Sequence, residues 1–129
     1  MELSAAQRER YERNLLVEGF TDRMQQALIA ARVAVVGAGG LGSAALNYLV
    51  AAGVGHLTLI ENDTVSLSNL QRQVLYTNAD MGRPKAEVAA MRLSRLNPGC
   101  DIRVVTDRLT AANAAGLLGG HDAVVDCTD

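Results

Sequence analysis

The chain lacks tryptophan and has only one phenylalanine and three tyrosines, so its core must be aliphatic. Its two cysteines, Cys100 and Cys127, lie far apart and form no C-x-x-C pair, which argues against a zinc site within these residues. No apolar run approaches the roughly 18 residues of a membrane span. The N-terminal stretch MELSAAQRERYERNLL has no apolar centre of the kind a signal peptide carries. A cytoplasmic protein is therefore expected. A net charge of −2 gives no sign of a nucleic-acid surface. Lysine is nearly missing too: of 12 basic residues, Lys85 is the only lysine and the others are arginines. Such a lysine is informative, because it can stand where arginine's bulk or planar fork would not serve.

What remains is a soluble globular composition, 49% hydrophobic and 20% charged, in 129 residues, one domain's worth of chain. Residues 4–17 read as a helix capped by Ser4, with Gly19 beyond its end, and a second short helix follows Asp22. Four strand-like runs come next: RVAVV (32–36), HLTLIE (56–61), DIRVVT (101–106) and DAVVD (122–126). Helical patterns separate them. One spans 41–52 and ends at Gly53. A second spans 84–96, with Pro84 at its first position and Asn97-Pro98 as a stop. A third covers about 111–118, capped by Thr110 and ended by Gly119-Gly120.

Strands alternating with helices predict an α/β fold, a doubly wound, Rossmann-like parallel sheet in the order 3-2-1-4 with helices at the N-terminus. The whole chain reads as one nucleotide-binding domain, with residues 1–30 as its helical segment and 31–129 as its βα units. The fourth run is followed only by CTD, which leaves an apolar sheet edge; the expectation is the N-terminal part of a longer protein.

Between the first strand and its helix stands Gly37-Ala38-Gly39-Gly40-Leu41-Gly42, a G-x-G-x-x-G. Glycines permit a tight turn and a close approach to backbone amides, and the helix behind it offers unpaired N–H groups to an anion. The string is weak alone, but here it follows a strand and opens a helix. Glu61 ends the second strand 19 positions past Gly42, where a ribose-hydroxyl acceptor belongs. Packing of helix on sheet is the plain alternative for the glycines.

A dinucleotide and a triphosphate both suit such a turn. The long connection from about 62 to 83 discriminates, since loops of that length are usually functional. It carries Asn69, Arg72 and Gln73, and Lys85 opens the next helix. The fourth strand ends in Asp126-Cys127-Thr128-Asp129, beside the glycine turn if the order is 3-2-1-4, so Asp129 should face that turn. Cations offset a triphosphate's charge, and a carboxylate suits Mg²⁺. Each residue has a plainer reading. Arg72 fits a surface ion pair, Asn69 a turn or cap, Asp63 a turn after the strand, and Asp126 and Asp129 a strand end or cap. A cation at Lys85's place opposes the helix dipole, which favours a functional reading. Cys127 reads as a small buried residue rather than a nucleophile, and His56 and His121 as structural or surface residues.

The combination of GAGGLG, SNLQRQ, GRPK and DCTD resembles the MoeB/ThiF/HesA family, relatives of the ubiquitin-activating enzymes, over nearly the whole chain from RYERNLL onward. The resemblance implies an ATP-dependent adenylyltransferase acting on the C-terminal glycine of a ubiquitin-like sulfur carrier and releasing pyrophosphate. It implies that Gly37, Gly39, Gly40 and Gly42 form the nucleotide turn and that Glu61, where the family usually has Asp, binds the ribose. Asn69, Arg72 and Lys85 would contact phosphates, and Asp129 would hold Mg²⁺. Arg13, in YERN, would reach the neighbouring subunit's phosphates, which implies a homodimer; by itself it reads as a solvated helix residue. The family's carrier-binding half, with its paired C-x-x-C zinc motifs, is not in these residues. Two rival readings are an NAD-dependent oxidoreductase domain, on the glycine turn and Glu61, and a non-catalytic nucleotide-binding or dimerisation module.

Overall fold

A computed structural model describes residues 2–129. Strands β1 (Arg32–Val36), β2 (His56–Ile60), β3 (Asp101–Val105) and β4 (Ala123–Asp126) form one parallel sheet in the order β3-β2-β1-β4. This is the order expected from the glycine turn. Strand β1 matches its apolar run, the other three strands are each one residue shorter than theirs, and Glu61 falls in the loop rather than on β2.

The sheet is covered unequally. Helices α4 (Gly40–Ala52) and α5 (Lys85–Leu96) bury one face, where Val33, Val35, Leu57 and Leu59 meet Leu46, Val50, Val88 and Leu93. These strand residues sit two apart, as one face of a pleated strand requires. On the other face Val36, Ile60 and Val105 gather a smaller cluster with Leu109, Leu117 and Leu118, the last two on α6 (Ala114–Leu118). Strand β4 pairs only with β1, and Val124 on it is exposed.

Three helix expectations need correction. The single helix over 4–17 is two short ones, α1 (Ala5–Arg10) and α2 (Glu12–Leu15), before α3 (Asp22–Ala30). Ser4 caps α1 as expected, in a reciprocal box with Gln7. The break falls at Tyr11, which is buried and whose hydroxyl accepts a 2.8 Å hydrogen bond from Asn97 Nδ2. Burying that ring against the end of α5 takes priority over a continuous helix. The helix expected at about 111–118 begins only at Ala114, because Thr110–Asn113 closes a turn: Thr110 N donates to Asn113 Oδ1 at 2.7 Å. Pro84 caps α5 rather than opening it.

The N-terminal helices are tied to the far end of α4. Asn14 Nδ2 and Gln25 Nε2 both donate to the carbonyl of Ala52, at 3.1 and 2.9 Å. The glycine turn lies at the opposite end of α4. That helix has 13 residues, so the two ends are roughly 20 Å apart at 1.5 Å per residue.

Candidate nucleotide-binding site

The carboxyl ends of β1, β2, β3 and β4 surround a cavity of about 470 Å³. Gly37, Gly39, Glu61, Lys85 and Asp129 all line it, so the topology brings together five residues drawn from four separate stretches of sequence. In open parallel sheets this edge, where the strand order reverses, is where ligands bind.

The glycines of the turn divide by what demands them. Gly37 has φ +98°, and a Cβ there would meet the Cys127 carbonyl oxygen at 2.6 Å. A Cβ on Gly42 would collide with the Gly37 carbonyl. These two glycines are required by the fold itself, and Gly42 lies under the turn rather than on the cavity wall. Gly39 and Gly40 differ. A Cβ on either would make only ordinary contacts, 3.4 Å to Gln73 Nε2 and 3.6 Å to Arg72 Cδ and Cγ. The fold itself therefore does not exclude a side chain at either place, and of the two Gly39 lines the cavity.

Glu61 reaches into the turn. Its Oε1 accepts from Ala38 N at 2.9 Å, and its Oε2 accepts from Asn62 N and Asp63 N at 2.9 and 3.1 Å. Its carboxylate thus ties the loop after β2 to the glycine turn; Oε2 accepts twice, so the lone pair left for a further hydroxyl is on Oε1.

Lys85 is 3% exposed although it opens a helix. Its ammonium donates to Asp63 Oδ2 at 3.1 Å, and its backbone N–H donates to the Asp63 carbonyl at 3.0 Å. The hydrogen bond from Lys85 holds the Asp63 carboxyl below its usual range. An ammonium has three donors, so Lys85 can serve Asp63 and a phosphate at once. Asp63 had read only as a turn residue; its sequence neighbours give no sign of a lysine 22 positions away.

The other predicted residues sit at the margin. Arg72 lays its aliphatic stem over Gly40, and its Nη1 donates to the Ser68 carbonyl at 3.2 Å. Asn69 closes a short turn, accepting from Ser66 N at 3.0 Å. Neither lines the cavity as the chain stands. Asp126 does not line it either: it accepts from Thr128 N and Oγ1, bonds that lower its carboxyl pKa. Cys127 is buried in the cavity wall, where burial and then Asp126 push its thiol up; this is the small buried residue expected rather than a thiolate. His121 is structural, its ring nitrogens 2.9 Å from the Leu118 carbonyl and 2.8 Å from Thr58 Oγ1. Arg13 lies on α2, at the far end of α4 from the cavity.

Asp107, Arg108 and Leu109, after β3, complete the wall beyond Glu61. Their sequence carries no motif; only the turn through Thr110–Asn113 folds them back over the sheet edge. Among the described residues no group of three or more His, Cys, Asp or Glu could hold a metal ion. Among the described residues no helix is long and apolar enough to cross a membrane.

Residues 11–129 match the ThiF family model. The chain is 51% identical to the molybdopterin-synthase adenylyltransferase of Escherichia coli over 128 residues, 99% of this chain and 51% of that protein. It is 43% identical to the sulfur carrier protein ThiS adenylyltransferase of the same species over 93% of this chain and 48% of that protein. It is also 43% identical to the SAMP-activating enzyme E1 of Haloferax volcanii, over 100% and 48%. Among solved structures, E. coli tRNA N6-threonylcarbamoyladenosine dehydratase, TcdA, in complex with ATP superposes with a TM-score of 0.92 at 35% identity, covering 100% of this chain and 53% of that one. E. coli MccB with ATP gives 0.83 at 27% identity, covering 94% and 37%. The chain thus spans about half the length of the relatives it matches.

Proposed function

The chain belongs to the ThiF family, and from that premise we propose that it is the nucleotide-binding part of an adenylyltransferase that activates the C-terminal glycine of a ubiquitin-like sulfur-carrier protein. A carrier carboxylate oxygen attacks the α-phosphorus of ATP, the bond to the β-phosphate breaks, and pyrophosphate leaves. The carrier ends as an acyl-adenylate. The observation that carries this reading is the joint lining of one cavity by the glycine turn, the buried cation Lys85 and the carboxylates Glu61 and Asp129.

Each residue then has a task. The amides at Gly39 and Gly40 meet phosphate oxygens, and Glu61 takes the ribose hydroxyls. Lys85 offsets charge where two anions must approach, which is the main electrostatic need of the reaction. Arg72, whose stem lies beside Gly40, and Asn69, on the same loop, contact the phosphates once nucleotide is bound. Asp129 is the carboxylate that suits Mg²⁺, which would screen the triphosphate; a single carboxylate plus phosphates and water is a common set for that ion.

The partner reading is a homodimer with two composite sites. Arg13 is about 20 Å from its own cavity along α4, beyond any arginine's reach, so the phosphate contact that the family resemblance implies for it would be made at a neighbouring subunit's cavity. Leu41, Ala44, Tyr48 and Ala51 form an apolar stripe on the outer face of α4, with Leu41 and Tyr48 exposed to 70% and 77%. Two α4 helices packed antiparallel along this stripe would bring each subunit's α2 beside the other's glycine turn.

The test is exchange of labelled pyrophosphate into ATP by the intact protein with a carrier ending in Gly-Gly. Carrier-dependent exchange that Lys85→Ala removes is the expected result. Tight NAD binding without metal, and no exchange, would move the protein to the oxidoreductases. Nucleotide binding without exchange would make it a non-catalytic module.

A further inference from the structure

We propose that Tyr76 is a positioning residue of the nucleotide site, aiming the Gly39 amide at the phosphates. The inference rests on the nucleotide reading above. Tyr76 is buried, and its hydroxyl donates to the Ala38 carbonyl at 2.6 Å. On the other side of the same residue, Ala38 N donates to Glu61 Oε1 at 2.9 Å. Both backbone groups of Ala38 are thus held by side chains from the loop after β2.

The consequence falls on Gly39. A trans peptide is planar, so the carbonyl of Ala38 and the N–H of Gly39 point in opposite directions. Drawing that carbonyl toward Tyr76 turns the Gly39 N–H the other way. Gly39 lines the cavity, and among the described residues its N–H donates to no group of the chain. The same segment seats itself on the next two residues of the turn. Gln73 lies against Gly39 and Arg72 against Gly40, so residues 72–76 back the turn from Ala38 to Gly40. The phenol stays a donor throughout the working range of pH, because burial, with Glu61 and Asp63 nearby, pushes its pKa up.

Tyr76→Phe keeps the ring and deletes the donor. In the intact protein, titrations with ATP and with adenosine separate the two possible roles. An aimed amide predicts that Tyr76→Phe weakens ATP about tenfold, the size of one lost hydrogen bond of a buried group, and changes adenosine less than about twofold. Equal weakening of both ligands, or an unchanged ATP affinity, overturns the proposal and leaves Tyr76 a packing residue. If Tyr76→Phe does not fold, fluorotyrosine placed at position 76 of the parent gives the same answer. Its fluorine resonance should shift with ATP and not with adenosine, and silence to ATP overturns the proposal. A parent protein that binds NAD in place of ATP defeats the nucleotide reading itself, which is a separate outcome.

Discussion

Lys85 Nζ and Asp63 Oδ2 lie 3.1 Å apart, joining the first residue of α5 to the loop after β2 across 22 positions of sequence. Lys85 is buried and Asp63 exposed, and both line the cavity, so the lysine's charge stands at the cavity wall with a carboxylate beside it. On the proposed reading, a triphosphate would meet a cation already held in place. The ammonium need not be recruited from solvent, which lowers the ordering cost of binding.

Lys85→Ala should therefore abolish stabilisation by nucleotide. A ligand at about 100 times its dissociation constant adds about 2.7 kcal/mol to the folded state. Thermal unfolding of the parent with Mg²⁺-ATP should shift upward by a corresponding amount, and Lys85→Ala should show none of that shift. An undiminished shift in the variant would remove Lys85 from the phosphate contacts.

Gly37→Ala and Gly40→Ala should part company. At Gly37 the added methyl faces the Cys127 carbonyl oxygen at 2.6 Å and the backbone has φ +98°. Left-handed strain and overpacking together cost about 2–4 kcal/mol. At Gly40 the nearest atoms, on the flexible Arg72 stem, are 3.6 Å away, and the position is helical. Gly40→Ala should unfold within about 0.5 kcal/mol of the parent yet bind ATP more weakly, because the methyl occupies the approach to the amides. Urea denaturation and ATP titration of both variants check the contrast.

Asp80 predicts an acid-dependent loss of stability. It is 2% exposed, and Arg92 Nη2 and Arg83 Nη1 approach its carboxylate at 2.8 and 3.3 Å. Thr77 donates to it through N and Oγ1. Burial alone would raise its pKa, but the Thr77 bonds and Arg92 outweigh burial and lower it below 3.8. With the folded value depressed, the contribution is fully present above the unfolded pKa and is lost as pH falls through the folded one. Asp80→Asn should cost about 2 kcal/mol at neutral pH. Its deficit against the parent should shrink in urea titrations as pH falls below the ordinary carboxylate range. A deficit constant with pH would mean that packing, not charge, is what Asp80 supplies.

How far the sequence anticipated the site follows from the range of each interaction. The sheet order, the glycine turn and the convergence of Glu61, Lys85 and Asp129 on one cavity were legible because a strand-turn-helix pattern and a parallel topology fix which chain ends share an edge. The break at Tyr11 was not, since its cause is Asn97, 86 positions away. The pairing of Lys85 with Asp63, the Tyr76 bond to Ala38 and the wall at Asp107–Leu109 were hidden for the same reason. No periodicity or capping rule carries a side-chain contact across a 22-residue loop. Which glycines of the turn exclude a methyl was hidden too, because the pattern does not show that a Cβ at Gly37 would meet the Cys127 carbonyl and one at Gly42 the Gly37 carbonyl.

The composite site gives the last prediction. If Arg13 serves the neighbouring cavity, Arg13→Ala and Lys85→Ala are each inactive in pyrophosphate exchange, and each is defective at a different place. In a mixed dimer one cavity loses both residues, while the other keeps its own Lys85 and receives an intact Arg13 from its neighbour. Unfolding and refolding the two variants together should restore about a quarter of the parent exchange, since half of the dimers are mixed and each of those has one sound site. Tyr48→Glu, on the exposed stripe of α4, should prevent this rescue and lower the mass seen by light scattering. Rescue without a dimer, or a dimer without rescue, would each break the link between Arg13 and the neighbouring phosphates.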